Sequence, residues 1–220
     1  AVVVNDTSTT PAPAAQNVAL TIGINAGAGF TTSTNNDTFD GSIASSLDTN
    51  DVLDGGDGND TLAATVGAET IRPTITSIET INLTSTGALV VDTRDITGTT
   101  AYSSESSTGA VTLNNVANIP SLALNSSGAN NATLNFTDAA IAGGADNLAI
   151  SVNNVTTTTL TVTDGGGLTN ELEQITLDSS SLASTIGTLT TAGVETSTLT
   201  VTGDANLTIT NAVDAAITTI

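Results

Sequence analysis

The stretch "DVLDGGDGNDTL" (residues 51–62) places four acidic residues and three glycines in twelve positions. Crowded carboxylates repel one another unless a cation neutralises them. Gly55, Gly56 and Gly58 are spaced G-G-x-G, and Asp60 follows two residues after the last of them. Leu62 and Ala63 complete a nonapeptide of the form G-G-x-G-x-D-x-apolar-x. The glycines let the chain turn through conformations closed to residues with a Cβ, which exposes backbone carbonyls on one side. Asp60 adds a carboxylate at the end of the turn. Calcium takes six to eight hard oxygen ligands from carboxylates and carbonyls together. Two such turns, stacked, would supply that shell, and several ions are expected.

One nonapeptide cannot close the shell, so its neighbours matter. Nine residues back, "SLDTNDVLD" puts Asp51 at the acidic position and Leu53 at the apolar one, and Asp54 ends it just ahead of the glycines. Nine residues on, "ATVGAETIR" offers Gly67, Glu69 and Ile71 in phase. Upstream, Asp37 and Phe39 repeat the same ending, so Asn-Asp-x-apolar occurs at residues 36–39, 50–53 and 59–62. Further on, Asp146 precedes Leu148 as Asp60 precedes Leu62, and Asp164 opens a run of three glycines. The expected metal ligands are therefore Asp37, Asp51, Asp54, Gly55, Gly56, Gly58, Asp60, Glu69 and Asp146. Asp57, at a variable position, is expected to face solvent.

The elements that must hold these residues are strands. From about Asn17 the chain alternates apolar with Thr, Ser or Asn in short bursts such as "ETINLTS", "SLALNS", "ATLNFTD" and "TLTVTG", with no convincing helical period. Successive bursts fall roughly 8 to 15 residues apart. Aromatics are 2% of the chain, so its core must be built from thin Ala, Val, Leu and Ile layers. This favours an all-β fold, a parallel β-solenoid or β-roll with calcium-binding turns, over the alternative of an antiparallel β-sandwich. Three segments are expected. Residues 1–16 form an extended arm, residues 17–76 the calcium-binding part, and residues 77–220 a Thr/Ser/Asn-rich strand repeat. The arm's "AVVV" could fray, or pair as a strand with a neighbouring subunit.

Composition excludes several functions. There are 22 acidic residues against Arg72 and Arg94, for a net charge of −20. Such a chain cannot neutralise phosphates, so nucleic acid is not a partner. No run reaches membrane-spanning length, so direct membrane insertion is not expected. Histidine, cysteine and lysine are absent, which leaves carboxylates, hydroxyls and one tyrosine for catalysis. Four scattered rings do not build a sugar platform, and an enzyme is not expected. Absence of cysteine removes disulfides as a source of stability. A start at Ala1 rather than Met is expected of a processed form or a fragment.

The acidic segment resembles the calcium-binding repeat of the repeats-in-toxin (RTX) proteins that Gram-negative bacteria export by type I secretion. The resemblance extends through "NNDTFDGS", "DVLDGGDGNDTL" and "ITSIETINLTSTGAL" to the solenoid region of RTX-type surface-layer (S-layer) proteins of the Caulobacter type, and "TLTVTGDANLTIT" is similar to a later rung of them. That likeness implies a calcium-dependent structural protein of the cell exterior, assembling with copies of itself as a lattice or filament. It also implies lipopolysaccharide, or an anchoring region outside this chain, as a second partner. The alternative is an RTX adhesin or secreted-protein binding module. The "TTTTLTVT" run raises ice binding, but its Thr pairs do not recur at a fixed rung length.

Overall fold

The computed structural model describes residues 14–27, 32–125, 131–164, 172–191, 193–194 and 196–220. These form a parallel β-solenoid of about eight turns, as the alternating bursts predict. Every strand pair among the described residues runs parallel, which rules out the antiparallel sandwich.

One wall is a nine-stranded sheet of β1 (Asn17–Ala19), β2 (Thr38–Gly41), β4 (Thr61–Val66), β7 (Thr80–Ser85), β10 (Ala101–Glu105), β12 (Ser121–Asn125), β14 (Asn147–Asn153), β16 (Gln174–Asp178) and β18 (Thr198–Thr202). A seven-stranded sheet faces it, made of β5 (Thr70–Ile71), β8 (Leu89–Asp92), β11 (Val111–Val116), β13 (Ala132–Phe136), β15 (Thr156–Asp164), β17 (Ser184–Thr190) and β19 (Leu207–Ile209). The third side has three strands, β3 (Val52–Asp54), β6 (Thr74–Thr76) and β9 (Ile96–Thr97). The solenoid is therefore three-sided in its early turns. After β9 it becomes two-sided, because residues 117–120 lead directly from β11 into β12.

Period-2 alternation produces this stack because each inward residue lands on its equivalent one turn away. Phe39, Leu62, Ile81, Tyr102 and Leu122 form one such column, in register and buried. Ile71, Val91, Leu113, Leu134 and Val162 form the column opposite. Leu53, Ile75 and Ile96 form the third. A turn takes between 19 residues, from Thr61 to Thr80, and 29, from Leu160 to Leu189. The burst spacing seen in the sequence is thus the distance between walls, roughly half a turn. Irregular turn length is absorbed at corners, where Ser45, Ser77, Ser106 and Asn154 take left-handed backbone conformations, and at a register shift within β11, where Asn115 does.

Two short 3-10 turns, Thr93–Asp95 and Asp138–Ile141, are the helical elements described. No helix among the described residues is long and apolar enough to cross a membrane. The sheets run without a break through residue 77, since β4 pairs with β7 and β6 with β9. Of the expected arm, residues 1–13 lie outside the described residues.

The stacked columns carry the stability, and this sets the outcome of a substitution. Leu134→Ala empties a site between Leu113 and Val162 and should cost about 2–5 kcal/mol. Thr112→Ala, on the outward side of β11, should stay within about 0.5 kcal/mol. Chemical denaturation of the two variants measures both.

Candidate metal centre at the acidic corner

The acidic residues gather where the chain turns into the nine-stranded wall. Asp37 precedes β2, Asp60 precedes β4, Glu79 precedes β7, Asp146 precedes β14 and Glu173 precedes β16. Each position meets the next turn through a hydrogen bond. The Gln16 N–H donates to Asp37 Oδ1, the Asp37 N–H to Asp60 Oδ1 at 2.6 Å, and the Asp60 N–H to Glu79 Oε2 at 2.7 Å. The Asp146 N–H donates to Glu173 Oε2 at 2.6 Å. A carboxylate of one turn thus caps the corner N–H of the turn before it, where the sheet ladder has not yet begun. The ladder is interrupted at Thr100, whose N–H goes to the Glu79 carbonyl, and at Pro120, which has no N–H.

Two of the three Asn-Asp-x-apolar copies stack as expected. Thr38 lies on Thr61 and Phe39 on Leu62, while the Asn59 N–H donates to Asn36 Oδ1 at 3.0 Å. The third copy does not join them. Asp51 leads into β3, on another side of the solenoid, because nine residues make only part of a turn here. Its carboxylate accepts the Asn25 N–H at 2.7 Å and the Asp48 N–H at 2.8 Å, with Asn25 Nδ2 at 3.1 Å.

The glycine turn is wedged between neighbouring turns. A Cβ on Gly55 would stand 1.8 Å from the Ser77 carbonyl oxygen. On Gly56 and Gly58, which have positive φ, it would stand 2.5 Å from the Ser33 oxygen and 2.6 Å from that of Asn35. Contact between turns therefore requires the glycines, whatever the turn binds.

Among the described residues no group of three or more acidic side chains is placed to hold one metal ion. Most of the expected ligands are already engaged. Asp37 also accepts the Ser33 N–H at 2.7 Å and the Ser33 hydroxyl at 2.9 Å. Asp54 accepts the Gly56 N–H at 3.1 Å. Glu69 accepts the Ser45 hydroxyl at 2.8 Å, and Asp146 the Gly143 N–H at 3.0 Å. Asp57 is exposed, as expected. The exception is Asp60, whose Oδ2 is buried without a partner. It lies 2.6 Å from the place a Gly55 Cβ would take, on the same side as the Ser77 oxygen. Asp60 Oδ2 and the Ser77 carbonyl are two hard oxygens facing one point, part of the shell calcium takes, and Asp60 is the residue that would hold such an ion. Asp164 also has a buried, unpartnered Oδ2, but Gly165, Gly166 and Gly167 lie outside the described residues.

Burial raises the Asp60 carboxyl above its ordinary value, against the pull of the Asp37 N–H, and the charges of Glu79, Asp37 and Asp54 push the same way as burial. Burial likewise raises Asp51, in spite of its bonds from Asn25 and Asp48. Burial pushes Asp37 up too, but the hydrogen bonds from Gln16, Ser33 and Thr32 outweigh it and leave it lowered. Asp92 is held at about 2 by the Arg94 side chain.

Glu79 and Glu173 were not anticipated from the sequence. The acid immediately before five of the nine strands of one wall was the signal, and it becomes visible only once the strand starts are aligned by turn. Comparison with protein-family models, with curated proteins and with solved structures finds no match.

These shifts give the metal-free protein a definite pH dependence. Asp51 and Asp60 hold protons more tightly folded than unfolded, so their contribution to stability falls as pH rises above the ordinary 3.8. Asp92 acts oppositely, its contribution being present above 3.8 and lost as pH falls towards 2. In chelator, the melting temperature should therefore rise on acidification from neutrality and fall again below the ordinary carboxylate range. Asp60→Asn keeps an acceptor for the Asp37 N–H and removes the unpaired charge. It should raise the neutral-pH melting temperature in chelator and flatten the rise, which calorimetry across pH would show.

Proposed function

We propose that this chain is a calcium-stabilised structural solenoid of the exterior of a Gram-negative bacterium, assembling with copies of itself as a lattice or filament. The observation that carries the reading is Asp60 Oδ2, buried and unpartnered beside a glycine turn that matches a calcium nonapeptide. Asp60 would hold the ion, with carbonyls of the turn and of Ser77 as neighbours, and Asp54 lies just ahead of the turn. Asp146 takes the equivalent corner position four strands further along the wall and is the place for a second ion. Bound calcium supplies positive charge at a corner where Asp37, Asp60 and Glu79 stack. Its binding free energy then adds to folding free energy.

The RTX resemblance supports export and an extracellular setting, with lipopolysaccharide or a separate anchoring region as the attachment. The absence of histidine, cysteine and lysine supports a non-catalytic role. Assembly is supported by strand edges at the last turn, where β18 and β19 each pair on one side, apart from a bridge between Thr198 and Thr219. Calcium also reduces the repulsion between copies that each carry −20.

Calcium should raise the melting temperature of the natural chain. Asp60→Asn should abolish most of that gain, and Asp57→Asn, at an exposed position, should keep it. Calorimetry with calcium and with chelator measures this, and an equal gain in both variants would remove Asp60 from the site. Electron microscopy in the two conditions tests assembly. Ordered sheets or filaments with calcium are expected; a chain that stays monomeric at high concentration would favour the adhesin-module reading.

A further inference from the structure

The change from three sides to two leaves a step in the solenoid. The three-stranded sheet stops at β9, whose far edge has no partner strand among the described residues. Beside that edge is a notch of about 230 Å³, lined by Thr93, Ile96, Thr97, Tyr102, Ala117 and Asn118. The ladder of this side is unfinished there. The N–H groups of Gly55 and Ser77 donate to the Thr76 and Thr97 carbonyls of the following turn. Gly98 holds the next place in that series, and the following turn has no strand there to supply a carbonyl. The apolar column is unfinished too. Leu53 and Ile75 are 0% and 1% exposed, whereas Ile96, the last member, is 9% exposed.

We propose that the notch receives a fourth strand, residues Val2–Val4 of a second copy of this chain, added parallel to β9. The inference rests on the self-assembly reading above and locates its contact. β3 and β6 are three residues long with the middle residue inward, and Val2-Val3-Val4 reproduces that pattern with Val3 continuing the column of Leu53, Ile75 and Ile96. Among the stretches outside the described residues, only residues 1–13 contain consecutive β-branched apolar residues. Extended, thirteen residues span roughly 45 Å, enough to pass from one molecule to the next. Backbone bonds along the free edge give the affinity and the valine gives the register.

Charge favours the same place. Both cations of the chain sit at successive corners of this side, Arg72 before β6 and Arg94 before β9. Arg72 pairs with Asp95 at 2.7 Å, and Arg94 pairs with Asp92. Elsewhere the chain presents acids without a balancing cation, so a second copy meets least repulsion at these corners.

Two full-length variants test the proposal. The first replaces Val2, Val3 and Val4 by Ser and keeps the notch. The second, Ala117→Trp, fills the notch from an exposed position and keeps the valines. In excess calcium, sedimentation should show the natural chain associating and each variant alone monomeric. An equimolar mixture of the two should associate, because one supplies the notch and the other the strand. A labelled peptide of residues 1–10 should bind the triple-Ser variant, and adding Ala117→Trp should weaken that binding by about tenfold or more. Circular dichroism of both variants checks that they fold. If both variants associate as the natural chain does, the docking site is wrong while self-assembly stands. If the peptide binds but the natural chain stays monomeric at every concentration, the strand closes on its own chain and the second copy is overturned. If the peptide does not bind the triple-Ser variant, the proposal fails whatever the natural chain does.

Discussion

In a parallel in-register stack every residue lies about 4.8 Å from its equivalent in the next turn. Like is placed on like, and nothing in the geometry can avoid it. For apolar residues this is favourable, and the columns from Phe39 to Leu122 and from Ile71 to Val162 are its product. For Asn, Ser and Thr it yields side-chain ladders, such as Asn135 donating to Asn114 and Ser103 to Asn82. For acids it forces carboxylates together. Asp37, Asp60 and Glu79 sit in consecutive turns at one corner, so charge accumulates where the strands begin.

The corner acids have a reason to be there all the same. The N–H just before the strand, as at Asp37, Asp60 and Asp146, lies outside the ladder that begins one residue later. A carboxylate from the following turn supplies the acceptor, and such charge-assisted bonds are short, 2.6 to 2.7 Å here. The cap consumes one oxygen of Asp60 and leaves the other buried and unpartnered. Capping the backbone and holding a cation are therefore compatible uses of one side chain. They divide its two oxygens, and the glycine turn leaves space beside the second.

Much of this fold was legible in the sequence, and for an identifiable reason. Alternation such as Thr80 to Ser85 states which residues face inward, and scarcity of aromatics states that the layers are thin. Turn length was not legible. The nine-residue phase linking Asp51 to Asp60 suggested one array, yet the corner-to-corner distance is 23 residues, from Thr38 to Thr61. Asp51 therefore belongs to a different corner, held by Asn25. Periodicity within a strand reports the face, whereas the period between turns is set by corner loops whose lengths follow no pattern. Glu79 was hidden for the same reason, since its role appears only when Thr80 is laid on Thr61.

The step after β9 follows from the same constraint acting on corners. A third side needs a connection long enough for one more short strand, as residues 71–80 provide, whereas residues 117–120 do not. Ending a side does not disturb the other two walls, because each turn's contacts are with its neighbours along the stack. The exposed edge that results is therefore inexpensive for the solenoid as a whole and is felt only locally, at Ile96, the most exposed member of its column. Stability in such an array adds turn by turn, and the early turns bring carboxylates together while the stepped fourth turn leaves one strand edge uncovered. Those are also the turns where a bound cation or an added strand has most to contribute. In a chain of this kind the later, two-sided turns rest on packing, and the early turns are where the proposed ions and neighbouring copies would act.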